Sequence, residues 1–217
     1  MARVSSTTTL QDETYLKLRQ WISLGRFLPG ERLKIKHLSV ELGVGEMPVR
    51  AALQRLAAEN ALVNVPNAGV TVPQLTRVEF DDVLQTRLML EGEAAARGAN
   101  NLTEDERRHL IELSGEMARA IPSEDLKGYL DANEEFHLVL YRAAGSPLLL
   151  QLIETVWLRV GPLSNRLYDD RHVWATMNDA HQDVLAGLQR RDSAAVRRGI
   201  ERDLFAAGQF LRTLCRD

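Results

Sequence analysis

Four side chains able to ligate a metal interrupt apolar stripes in the second half of this chain. Asn133 and His137 fall in the stripe Leu126, Leu130, Asn133, His137, Leu140, Ala144. Four residues apart, they are neighbours on one face of a helix. His181 shares a face with Met177, Val184 and Leu188, and Asp203 with Val196, Ile200, Ala207 and Leu214. All four groups point inward, where an unpaired polar group is costly. Two imidazoles, one carboxylate and one amide oxygen suit a divalent transition metal, Zn²⁺ or Ni²⁺, with positions left open. A hydrogen-bond network, Asp203 with one histidine and Asn133 with the other, satisfies the same atoms. Spacing alone leaves both open.

A second group of residues lies near the start of the chain, in "GVGEMPVRAALQRLAAENAL". The stretch has helical apolar spacing, with Val49, Leu53 and Leu56 inward. Gly45, Glu46, Met47 and Arg50 are left at its exposed beginning. Lys34, Lys36 and His37 precede it, and Gly69 allows a sharp turn further on. Residues 1–75 hold 9 Lys/Arg against 6 Asp/Glu, although the whole chain carries a net charge of −3. A basic first half beside an acidic second half points to an anionic partner for the first half only.

The elements that must position these groups follow from periodicity and punctuation. Leu10, Tyr15, Leu18, Trp21 and Ile22 share a helical face that Gly25 ends, and Pro29–Gly30 makes a turn. Leu33 and Ile35 alternate with charge as a very short strand. "KHLSVELG" is a two-turn helix, and a longer helix spans about 46–59. "LVNVPNAGVTV" reads as a hairpin with "PNAG" at its tip. No convincing strand follows Thr76. Helices are predicted at about 76–99, 103–121, 125–144, 147–168, 173–190 and 192–214, the second opened by a capping box at Thr103–Glu106. The fold class is mainly α. A winged helix-turn-helix with a small β-hairpin wing occupies residues 1–73, and an all-α helical bundle occupies 76–217.

The chain has 217 residues, 45% hydrophobic and 26% charged, with one cysteine, Cys215. That is an ordinary composition with room for a sizeable core. One thiol cannot form an internal disulfide. No apolar run is long enough to span a bilayer, and "MARVSSTTTLQDETY" lacks the apolar core of a signal peptide. The expected location is cytoplasmic, with no membrane partner.

Residues 15–72 carry the motifs "I..G.F.PGERL", "LS.ELGV", "PVR.AL.RL...N.L" and "PN.G..V" in register. They resemble the DNA-binding domain of the GntR family of bacterial transcription factors. The helical half is similar to the FCD effector domain, in its shorter, VanR-like form. The resemblance implies that Arg50 reaches operator DNA, that Lys36 helps from the preceding helix, and that Gly69 is the wing-tip glycine. Two positions depart from the pattern. Gly45–Glu46 stands where Ser/Thr–Arg is usual, and Ala68 where a basic residue is common. A glutamate accepts from cytosine N4 and offers nothing to guanine.

"NEEFHLVLYRAAGSPLL" and "AHQDVLAGLQRRDSAAV" resemble the FCD segments that carry metal-binding histidines, here His137 and His181. By count, Asp203 occupies the place of a usual third histidine. Arg87 matches an FCD arginine; it either pairs with Glu91 or meets an acidic effector. Arg159, Asn165 and Tyr168 are further candidates for lining that cavity.

The expected function is that of a ligand-responsive transcription factor, a repressor, binding pseudo-palindromic double-stranded operator DNA as a homodimer. A small carboxylate metabolite and a divalent metal bind the helical domain. A metal-dependent enzyme and a non-DNA interaction scaffold are the competing classes. The absence of a strand scaffold and of a glycine-rich cofactor loop weighs against catalysis.

Overall fold

A computed structural model describes residues 9–66, 69–164, 166 and 171–217, with side chains of the last segment described from residue 178. Among the described residues the order is α1 (Leu10–Ser23), α2 (Ile35–Leu42), α3 (Glu46–Ala58), β1 (Val63–Val65) and β2 (Gly69–Thr71), then α4 (Arg77–Asn101), α5 (Glu104–Ser123), α6 (Leu126–Arg142), α7 (Pro147–Ser164), α8 (Arg171–Gln189) and α9 (Ser193–Thr213). Helix starts are chemically specified. Thr9, Thr76 and Thr103 each cap a first turn, and the carboxylates of Asp12, Glu79 and Glu106 answer back to the cap amide. Each such reciprocal pair satisfies two backbone donors that the helix leaves free.

The first five elements enclose one core. Tyr15, Leu18, Trp21 and Ile22 of α1 meet Val49, Leu53 and Leu56 of α3, with Leu38, Phe27, Leu33 and Val72 around them. Between α2 and α3 the chain reverses at Gly43, whose φ of 66° only glycine adopts readily. The wing is an antiparallel pair in the register Val63↔Thr71, Asn64↔Val70, Val65↔Gly69. The expected strand through Leu33 and Ile35 is reduced to a single bridge, Arg32↔Thr71, because Ile35 already begins α2.

The second core is helical throughout. Helix α4 lies against α6, α7 and α9; α8 packs on α9, and α5 on α6 and α8. Two close approaches fix the geometry of the site below. A Cβ on Gly98 of α4 would stand 1.9 Å from the carbonyl oxygen of Leu140 on α6. A Cβ on Gly199 of α9 would stand 2.6 Å from Val184 Cγ2 and 3.1 Å from Val184 N on α8.

The two cores touch through α1 and α7. Leu158 of α7 is buried in the first core rather than the second. Gly161 lies so close to the end of α1 that a Cβ there would stand 2.3 Å from the Ile22 oxygen. Arg19 donates to Glu154 across the same junction at 3.0 Å. Among the described residues no helix is long and apolar enough to cross a membrane.

Gly98→Ala should force α4 and α6 apart. Overpacking of this kind costs about 1–3 kcal/mol. A thermal melt should show a lower midpoint, and a wild-type midpoint would contradict the close-approach argument.

Candidate metal centre and nucleic-acid interface

His137 on α6, His181 on α8 and Asp203 on α9 converge in the bundle, each buried, with one ligand-capable atom from each lying within 4.8 Å of the others. His137 Nε2 is 3.2 Å from Asp203 Oδ2, and His181 Nε2 is 3.8 Å from Asp203 Oδ1. The second distance is beyond hydrogen-bond length. Both ring nitrogens of His181, the Asp203 Oδ1 and the Asn133 Oδ1 are buried without a hydrogen-bond partner among the described residues. Each orphan costs about 1–3 kcal/mol. These atoms are metal-ligand types, so the donor set fits a divalent transition metal better than it fits a closed hydrogen-bond network. Such a network satisfies its members, and here the expected partner of Asn133 is absent.

The surroundings tune these groups. Burial pushes His181 down to about 4, against the pull of Asp203, and keeps its ring neutral. Burial alone raises the Asp203 carboxyl, but the two imidazoles and Arg87 outweigh it and hold the group below its usual value. His137 Nδ1 is 2.8 Å from the Tyr141 oxygen, and Tyr141 donates to Glu91 Oε2 at 2.9 Å. Arg87 Nε donates to Glu91 Oε1 at 2.6 Å. Phe136 packs on the His181 ring at a centroid distance of 4.8 Å.

A cavity of about 90 Å³ opens beside this cluster. Asn133, His137, Asp203, Arg87 and Trp157 line it from the bundle, and Ser23 and Leu24 line it from the end of α1. Glu134 sits at its edge; burial, with Asp131 and Glu135 nearby, pushes its carboxyl up to about 6. Arg159 is not brought here. It lines a separate groove with Pro73, Leu75, Glu79 and Arg216. Arg87 does line the cavity, while forming the pair with Glu91. Asn165 and Tyr168 lie outside the described residues, as do Ala68 and the side chains of His172 and Met177.

At the other end of the molecule, α3 presents Glu46, Met47 and Arg50 to solvent and buries Val49, Ala52, Leu53 and Leu56. Gly45 is its N-cap, and Met47 is 70% exposed. Lys34, Lys36 and His37 are exposed around the start of α2. Gly69 has a φ of 82°, and a Cβ there would stand 3.8 Å from the Arg32 guanidinium. Arg32, which falls within the quoted PGERL motif but was not named as a candidate, is held beside the wing by its bridge to Thr71. A helix with its first turn exposed, beside a basic flank and a hairpin, is the arrangement that enters a major groove.

Comparison with known proteins identifies this arrangement. Residues 10–72 match the bacterial regulatory proteins of the gntR family, and residues 82–205 match the FCD domain. The chain belongs to the GntR family. The transcriptional regulator McbR of Escherichia coli is 34% identical over 169 residues, covering 78% of this chain and 75% of that one. The transcriptional repressor RspR of Escherichia coli is 26% identical over 213 residues, covering 98% of this chain and 93% of that one. The solved structure of E. coli McbR/YncC superposes with a TM-score of 0.88 at 29% identity, covering 95% of this chain and 98% of that one. This GntR protein is therefore a transcriptional regulator with a DNA-binding domain and an FCD domain, and not an enzyme.

The His181 environment predicts a pH dependence of stability. Its ring takes a proton near 6.5 when unfolded and only near 4 when folded. The unfolded chain binds more protons across that interval, so stability falls as pH drops from about 6.5 to 4. Denaturant melts at several pH values check this, and His181→Gln should flatten that part of the profile. An unchanged slope in the variant would contradict a neutral buried ring.

Proposed function

We propose that this GntR regulator is a ligand-responsive repressor that binds a pseudo-palindromic operator as a homodimer. In this reading Arg50, Met47, Glu46 and Gly45 face base edges. Lys34, Lys36 and the Gly69 wing meet the phosphate backbone, with Arg32 added beside the wing. Two-fold symmetry then repeats the half-site about one helical turn, roughly 34–36 Å, away.

His137, His181 and Asp203, with Asn133 beside them, would hold a divalent transition metal, of which Zn²⁺ and Ni²⁺ suit the donors. When bound, such a metal supplies Lewis-acid charge for an anionic ligand. Arg87 and Trp157 flank the same cavity, and Trp157 Nε1 is buried without a partner among the described residues. Donors of this kind suit a small carboxylate metabolite. Asn165 and Tyr168 stay as further candidates for that lining; Arg159, in its separate groove, does not.

The observation that carries the regulatory reading is the shared wall. The cavity next to the metal-ligand cluster is closed on one side by Ser23 and Leu24 of the DNA-binding half. Its volume of about 90 Å³ holds on the order of three waters at ~30 Å³ each. Ordinary small-molecule pockets span about 300–1,000 Å³. A metal with a few waters fits it as it stands; in this reading a larger ligand displaces the end of α1 from its wall. Such a ligand has different affinities for the docked and displaced heads, which is what a ligand needs to shift an equilibrium.

Three measurements test this reading. Purified protein should contain near-stoichiometric divalent metal and melt at lower temperature after chelation, because a ligand of the native state alone adds stability. A blank elemental analysis, with no change in the melt on adding Zn²⁺ or Ni²⁺, removes the metal.

Arg50→Ala should weaken specific operator binding by about 1–3 kcal/mol at fixed salt, with an unchanged melt. Unchanged affinity takes Arg50 off the reading surface.

Glu46→Arg should change the preferred base at one symmetric pair of positions, from cytosine toward guanine on the strand it faces. It should also steepen salt dependence. Identical sequence logos for both proteins would show that Glu46 only favours the positive end of the helix dipole.

A further inference from the structure

We infer that the groove between the base of the wing, the linker and α7 is a second ligand site, which takes a small oxyanion, a carboxylate or phosphate group, between Arg159 and Arg216. It shares no residue with the metal-ligand cluster or the cavity beside it.

Four parts of the chain build its walls. Asn60 and Val63 come from the DNA-binding half, Leu75 from the linker, Arg159 from α7, and Arg216 from the segment after α9. Arg216 is held in place by its own backbone. Its N–H donates to the Leu75 oxygen at 3.1 Å, and its carbonyl accepts from Arg77 N at 3.0 Å. Its Nη2 donates to the Gln74 oxygen at 2.8 Å, which leaves the rest of the guanidinium to the groove. The groove has a volume of about 290 Å³, against about 90 Å³ for the cavity beside His137. Ordinary small-molecule pockets begin at about 300 Å³. A small anion enters this groove without any movement of α1.

The charges decide what kind of ligand it takes. Arg159 Nε is buried and has no hydrogen-bond partner among the described residues. A guanidinium only donates, and a buried donor left open is costly. The carboxylate on the groove is Glu79, and its Oε2 already accepts from Thr76 N at 2.8 Å and from Thr76 Oγ1 at 2.9 Å. Among the described residues it makes no ion pair with either arginine. Two guanidiniums against one engaged carboxylate leave the groove positive. The planar fork of an arginine matches paired carboxylate or phosphate oxygens.

The anion is not the operator. Helix α3 has 13 residues, about 20 Å at 1.5 Å per residue. Glu46 stands at the end that faces DNA in the proposed function, and Asn60 lies beyond the other. An anion in the groove instead touches head, linker and bundle together.

The test uses full-length protein and inorganic phosphate, exchanged for chloride at constant ionic strength. The reporter is the Arg159 Nε–H signal in ¹H–¹⁵N spectra, assigned by its loss in Arg159→Lys. The signal should shift saturably in wild type. In Arg216→Gln, which alters an exposed side chain and keeps the backbone bonds, the midpoint should rise about tenfold, the scale of one lost charge-assisted contact. A linear drift without saturation overturns the site, as does a wild-type midpoint in the variant. Acetate in the same titration separates the two sources of an oxyanion. Saturation by either probe supports the site and names the group it takes; saturation by neither overturns it. Chelated protein should give the same midpoint, because the groove stands apart from the metal-ligand cluster. A response that disappears on chelation places the anion on the metal and overturns the site, while the metal reading stands.

Discussion

The arrangement depends on the burial of one carboxylate. Asp203 sits in the helical core at 2% exposure, opposite two imidazoles. A buried anion must be paired or coordinated. The neighbouring chemistry can be read as an answer to that demand. His137 comes from α6 and His181 from α8, so a single charge ties three helices to one point. The glycine approaches on either side make this possible. Without the close contacts at Gly98 and Gly199, α4 would not bring Glu91 to Tyr141, and α8 would not bring His181 to Asp203.

The same demand separates the inner groups into two layers. Arg87 and Glu91 compensate each other within one helix, four residues apart. Neither needs the cavity for its charge. Asp203 does, because its Oδ1 has no hydrogen-bond partner among the described residues. The inner layer is thus complete and stiff, and the outer layer is incomplete. Incompleteness at the end of a stiff support is what a binding site requires. A closed network would have stabilised the fold and left nothing to bind.

Much of this was legible in the sequence, and the misses share one cause. Apolar period and capping residues located α5 as 103–121 against Glu104–Ser123, and α9 as 192–214 against Ser193–Thr213. The inward faces of His137, His181 and Asp203 followed from the same stripes. Tyr141 was not singled out, because a tyrosine one turn beyond His137 looks like ordinary core. Glu91 entered only as the alternative partner of Arg87, since its complete burial is set by the helices packed on α4. Leu158 falls in the half assigned to the bundle, yet it fills the core of the other half. Arg159, one residue further along α7, faces the linker groove and not the cavity. Helical period places a residue on a face; it does not say which neighbour that face meets. The groups that were missed are those whose role is set by contacts between helices distant in sequence.

The junction between the halves carries the functional consequence of that packing. Leu158 completes the core of the DNA-binding half, and Gly161 admits the end of α1 at backbone contact distance. The residue that ends α1 and the one that caps it are also the cavity wall. Position of the head and volume of the cavity are therefore one variable. If operator DNA and a cavity ligand favour different values of it, each must weaken the other by the same factor, because coupling free energy is reciprocal. If both favour the same value, the ligand acts as a co-repressor by the identical contact. Under the proposed function, the sign of regulation rests on which head placement spans two half-sites. In that reading the proposed means of transmission is the same in either case: a helix end that both tethers the head and lines the cavity.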